Sequence, residues 1–148
     1  MLIKTHLAIT IFLVLILLPF VEAKIIFVII SLLATYIPDI DSRYSKVGYR
    51  KIARILQIFT KHRGLIHSFS LLLTLTLILA LFFPTIALPF FLGYSSHLLA
   101  DSFTLDGIIP FYPLKKKTYG FVKTGGKIEH FILISFIAID LFLLIRLL

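Results

Sequence analysis

Long apolar runs separated by short polar breaks make up most of the chain. Residues 7–21, 25–37, 69–83, 85–100 and 131–148 are predominantly apolar, and only Glu22, Ala23 and Lys24 divide the first two. Pro84 and Pro89 mark the junction of the third and fourth runs, and the fifth carries Asp140 and Arg146. None of the runs alternates with period two, and an open sheet would leave backbone groups unpaired in lipid, so helices are expected rather than strands. A spanning helix needs about 20 residues, which the first two runs reach only with their flanks. The pattern predicts an all-α fold, an integral membrane helical bundle of about five membrane helices. A compact bundle only partly sunk in the bilayer is the alternative.

Between the second and third runs, Ile52, Ile55, Leu56 and Phe59 recur at helical spacing, with Arg50, Lys51, Arg54 and Lys61 around them. Residues 49–61 are therefore expected to form a basic amphipathic helix lying on the membrane surface. Residues 105–127 are rich in Gly, Pro and aromatics and hold Lys115, Lys116 and Lys117 in a row. With no repeat, low-complexity tract or linker, residues 1–148 read as one domain. Lys4, the apolar stretch and Val21-Glu22-Ala23 have the outline of a secretory signal. Pro19 and the closeness of the second run weigh towards a retained membrane helix.

Composition narrows the class. Of 148 residues, 59% are hydrophobic and 15% charged, and the mean hydropathy is +1.06. An average soluble chain is about a quarter charged. So much apolar side chain excludes intrinsic disorder, and the absence of cysteine excludes a disulfide scaffold or a thiolate zinc site. Fifteen Lys and Arg against seven Asp and Glu leave a net charge of +8. Alternating the helices across the bilayer places all the basic residues except Lys24 and Arg146 on the side of the N-terminus. By the positive-inside rule that side is cytoplasmic, at the inner (plasma) membrane. The basic charge is then explained by orientation and contact with anionic lipid head groups, and needs no nucleic acid.

The same alternation brings all five histidines and five of the seven carboxylates to that side. His97 and Asp101 are four apart and share a helix face. An interfacial capping pair is the simpler alternative, but ionisable residues within membrane helices are costly and point to function. His62 and His67 are five apart, about 500° on a helix, so only one of them, His67 by preference, faces a site. Arg63 between them is suited to grip a phosphate in bidentate fashion. Asp39 and Asp41 point in different directions, so one is the expected ligand; the alternative is a polar turn after helix termination at Pro38. His6 adds a fourth contribution, while Glu129 and His130 read as a helix cap. Imidazole and carboxylate donors suit zinc, manganese or iron, and facing helices in a bundle commonly build such sites. A cation would also neutralise carboxylates held beside an apolar region.

These residues resemble a known family. Thr5-His6, Pro38-Asp39-Ile40-Asp41, His62-Arg63-Gly64-x-x-His67-Ser68, Gly93-Tyr94-x-x-His97-x-x-x-Asp101-Ser102, and Gly107 with Pro110-Phe111-Tyr112-Pro113 look like the membrane-bound metal-dependent hydrolases of the YdjM type. The order of ligand types is also similar to zinc-dependent phospholipase C and the single-strand-specific zinc nucleases. That similarity implies His6, Asp39 or Asp41, His67, His97 and Asp101 as ligands, with one Asp able to bridge two metals. A later His-x-x-x-Glu or His-x-x-x-Asp block of the wider pattern is absent.

The expected activity is metal-assisted hydrolysis of a phosphoester, lipid or lipid-linked, with one or two divalent ions, zinc foremost. The Asp of the 39/41 pair not used as a ligand would serve as general base, and Arg63 with Lys115 to Lys117 would hold the phosphate. The alternatives are a non-catalytic membrane protein with a structural metal site or ion passage, and a regulatory scaffold working through its basic loops.

Overall fold

The computed structural model describes residues 1–41 and 64–147, with the side chains of Ile40 and Asp41 excepted. Among these are five α-helices and no strand: α1 (Ile3–Leu17), α2 (Lys24–Tyr36), α3 (Phe69–Phe82), α4 (Pro84–Ser102) and α5 (Lys127–Leu147). The surface helix expected over residues 49–61 lies outside the described residues. Each apolar run became one helix. The boundaries differ most at α1 and α5, each of which begins four residues before its run; at α5 this is because Lys127, Glu129 and His130 belong to its polar first turn.

Two segments are long and apolar enough to cross a membrane: Ile3–Phe20, which joins α1 to the 3-10 turn Leu18–Phe20, and Lys127–Leu147. At 1.5 Å per residue they extend about 27 and 31 Å. α2 and α3 have 13 and 14 residues, too short alone for the hydrocarbon core. α4 has 19 residues, but its second half runs through Ser95, Ser96, His97 and Asp101. Among the described residues, two of the five helices expected to span are therefore long and apolar enough to do so by themselves.

Successive helices run up and down. Glu129 meets Leu2 and Thr5, and further along the Phe136 ring meets Phe12 edge-on, with centroids 5.3 Å apart, so α1 and α5 run in the same direction. α3 and α4 form a tight hairpin with Phe83 between them and Pro84 at the first position of α4. α2 and α4 approach closely at Gly93: a Cβ there would lie 1.9 Å from the Ser31 carbonyl oxygen, so only glycine fits. Ala34, Leu72, Phe90, Tyr94 and Leu98 pack where α2, α3 and α4 meet, joined by Ile108 of the following loop.

The distribution of polarity is inverted relative to a soluble bundle. Thr5, His6, Thr10, Ser31, Thr35, Ser96, His97, Asp101 and Glu129 are buried. Ile25, Leu33, Leu77, Leu81, Phe131 and Ile145 are exposed. Continuous apolar surface of this kind fits lipid contact, and the buried hydroxyls bond across helices in place of water. Thr10 Oγ1 lies 2.9 Å from Thr35 Oγ1 and 2.8 Å from Ser96 Oγ, linking α1, α2 and α4.

Candidate metal centre

The up-and-down order puts the starts of α1, α3 and α5 and the ends of α2 and α4 at one end of the bundle. His6 lies in the first turns of α1. Asp39 lies in the 3-10 turn Pro38–Asp41 that follows α2, where Pro38 has no N–H to continue the α-helix. His67 comes just before Ser68, whose hydroxyl accepts from the Leu71 N–H and caps α3. His97 and Asp101 occupy the last two turns of α4, on its buried face.

These five side chains converge. The His6 and His97 rings stack, with centroids 3.7 Å apart and planes 4° from parallel, and the His67 ring meets His97 edge-on at 5.8 Å. Asp101 divides its two oxygens. Oδ1 faces His6 Nε2 at 3.3 Å, and Oδ2 faces His67 Nε2 and His97 Nε2, each at 3.7 Å. His97 Nε2 is also 3.9 Å from Asp39 Oδ1. Two groups thus offer donor atoms within 4.8 Å of one another: His6, His97 and Asp101, and Asp39, His67 and His97.

The protonation pattern explains why these groups fit a cation. A backbone carbonyl can only accept, so His97 Nδ1, 2.8 Å from the Thr35 oxygen, carries a proton and donates it. In the neutral ring Nε2 then holds a lone pair. It has no hydrogen-bond partner, is buried, and faces two carboxylates. Lone pair against carboxylate is repulsive unless a positive charge stands between them. Atoms sharing an ion at about 2.0–2.2 Å stand roughly 3 to 3.5 Å apart, and the observed separations are near that range. The Thr35 carbonyl meanwhile fixes the ring tautomer, as the outer partner of a metal-binding imidazole does. His6 has neither ring nitrogen in a hydrogen bond.

Of the other candidates, His62 and Arg63 lie outside the described residues, as does the side chain of Asp41. Asp106 and His130 are exposed. Glu129 is buried and does not enter the cluster: it accepts from the Leu2 N–H at 2.5 Å, the Thr5 hydroxyl at 3.0 Å and the Gly125 N–H at 2.5 Å. It therefore caps α1 and the turn before α5 together. Two contributors escape reasoning from side-chain types. The amine of Met1 forms an ion pair with Asp101 Oδ1, and the Thr35 carbonyl is backbone.

No solved structure matches the chain. The uncharacterized protein YvsG of Bacillus subtilis (strain 168) is 28% identical over 103 residues, which are 66% of this chain and 64% of that protein. The match to the family described as YdjM inner membrane protein runs over residues 1–146 and so takes in every element of the bundle and every residue of the cluster; the chain belongs to that family of membrane proteins.

Proposed function

We propose that the chain is a membrane-bound, metal-dependent hydrolase of phosphoesters, acting as a single domain on a lipid or lipid-linked substrate from the cytoplasmic face. The observation that carries this reading is the convergence of His6, Asp39, His67, His97 and Asp101, with the two Asp101 oxygens facing different histidines. The donors suffice for one ion or for two neighbouring ions that share Asp101, and zinc suits the nitrogen and oxygen set. A bound divalent ion supplies a Lewis acid for the phosphoryl oxygen and lowers the pKa of a water.

The chain's own residues do the rest. His97 is held in its donor tautomer by Thr35. The Asp39 side chain is 23% exposed while those of Asp101 and His97 are at most 2%, so Asp39 forms the solvent side of the cluster. From there it takes a proton from an attacking water, and Asp41 is the alternative base. Arg63, four residues before His67, is assigned the phosphate. The location of the cluster at one end of a membrane bundle supports a lipid or lipid-linked substrate.

A second reading has its own support: His6, His67 and His97 are each at most 1% exposed, as in a closed structural metal site. Metal analysis of detergent-purified protein comes first. Wild type should retain a divalent ion, and His97→Ala and Asp101→Ala should lose it; equal content in all three would rule out the site. Assay on generic phosphomonoesters and phosphodiesters then separates the readings, since bound metal without turnover supports the structural one.

A further inference from the structure

The loop between α4 and α5 projects a segment that lies outside the His and Asp cluster. Nine consecutive residues, Phe111-Tyr112-Pro113-Leu114-Lys115-Lys116-Lys117-Thr118-Tyr119, are exposed. Phe111 is 58% exposed, Leu114 67% and Tyr119 70%. The base beneath them is firmly built. Ile108 and Val122 are buried, and bridges join Thr104 to Val122 and Ile108 to Thr118. The Thr118 N–H donates to the Ile108 carbonyl at 2.9 Å, and the Phe69 N–H donates to the Pro110 carbonyl at 2.7 Å, tying the loop to the start of α3. Gly107, at φ 58°, lets the backbone pass within contact of Thr118, where a Cβ would lie 1.7 Å from its oxygen. A braced base that displays large apolar side chains to its surroundings is a surface made to meet something.

Charge and position identify what it meets. Between Phe103 and Ile128 the only acidic residue is Asp106, against Lys115, Lys116, Lys117, Lys123 and Lys127. Lys117 Nζ lies 5.3 Å from the centre of the Tyr119 ring, so cation and aromatic share one face of the tip. The loop leads directly into α5, one of the two helices long enough to span, and its base is tied to the start of α3. The segment therefore lies at the end of the bundle where α5 begins, the level at which α5 would enter a bilayer. Aromatic side chains settle at that level, and lysines beside them bind anionic lipid.

We propose that residues 111–121 are a membrane-interface anchor that seats on the anionic lipid head groups of the bilayer its own helices occupy. The proposal rests on the membrane location of the chain and stands whether or not the cluster hydrolyses anything. The absence of tryptophan makes it directly testable. Tyr119→Trp and, separately, Phe111→Trp each create a sole tryptophan at an exposed position, read by excitation at the red edge where the tyrosines do not absorb. Each protein is placed in nanodiscs of phosphatidylglycerol or of phosphatidylcholine, with or without brominated acyl chains. In phosphatidylglycerol the emission should shift to the blue and be quenched by bromine. Both effects should shrink in phosphatidylcholine, and shrink again in phosphatidylglycerol when Lys115, Lys116 and Lys117 are replaced by Gln. Water-like emission without quenching from both reporters would overturn the proposal, as would equal quenching in the two lipids and in the Gln variant. Unchanged far-UV circular dichroism in each variant secures the comparison.

Discussion

Single residues at the cluster end act through hydrogen bonds more than through bulk, and Glu129 shows this best. Its carboxylate joins two helix starts, and no other residue is described as accepting from the Leu2 N–H or the Thr5 hydroxyl. Glu129→Ala leaves the buried Thr5 hydroxyl and the partly buried Leu2 and Gly125 N–H groups without their acceptor. Each such loss costs about 1–3 kcal/mol, so equilibrium unfolding in detergent should show a destabilisation on the order of 3 kcal/mol. Because the same contact fixes the first turn of α1, metal affinity should fall as well, and Glu129→Gln, which keeps an acceptor oxygen, should recover part of both. Loss of neither quantity in the Ala variant would show that the α1 start is held elsewhere. At this scale the sequence was informative about residue type and silent about partners. His97-x-x-x-Asp101 announced itself by spacing, whereas the Thr35 carbonyl that fixes the His97 tautomer has no side-chain signature.

Helices were legible because apolar runs bounded by Pro, Ser and charge leave little else to form in lipid. Ser68 before Phe69 and Pro84 after Phe83 became helix starts, as local chemistry requires. How closely the helices approach was not legible, because it depends on which small residue faces which backbone. Gly93 settles that for α2 and α4. Gly93→Ala drives a methyl into the Ser31 carbonyl, a backbone atom that cannot rotate away. The helices must part, and the strain of overpacking should cost about 1–3 kcal/mol. One turn further along the same contact, His97 would draw away from the Thr35 carbonyl, so metal affinity should drop about 10- to 100-fold, as when an outer-shell partner is removed. Titration of the purified variant with zinc, beside its thermal unfolding, measures both; full stability with unaltered affinity would mean that the close approach is not what sets the imidazole.

For the whole molecule, the asymmetry of charge between the two ends of the bundle predicts its orientation. Lys4, Lys115, Lys116, Lys117, Lys123 and Lys127 lie at the end that holds the cluster, while Lys24 and Arg146 lie at the other with Glu22. Alternating helices return every second break to the same end of the bundle, which is why the hydropathy pattern and the helix order separate these residues alike. Residues 3–20 and 127–147, the two segments long and apolar enough to cross a membrane, run in the same direction, so crossing by both would start them on one side. Lysine and arginine near helix ends are retained on the cytoplasmic side, so the cluster should face inward. The chain has no cysteine, so single cysteines report position without background. Lys24→Cys and Lys116→Cys replace exposed side chains at opposite ends. In intact spheroplasts a membrane-impermeant maleimide should label Lys24→Cys at once and should reach Lys116→Cys only after permeabilisation. The opposite pattern would put the cluster on the outer face, where a substrate would have to be drawn from the other leaflet, and the cytoplasmic part of the proposed function would be given up while the His and Asp cluster itself stood unchanged.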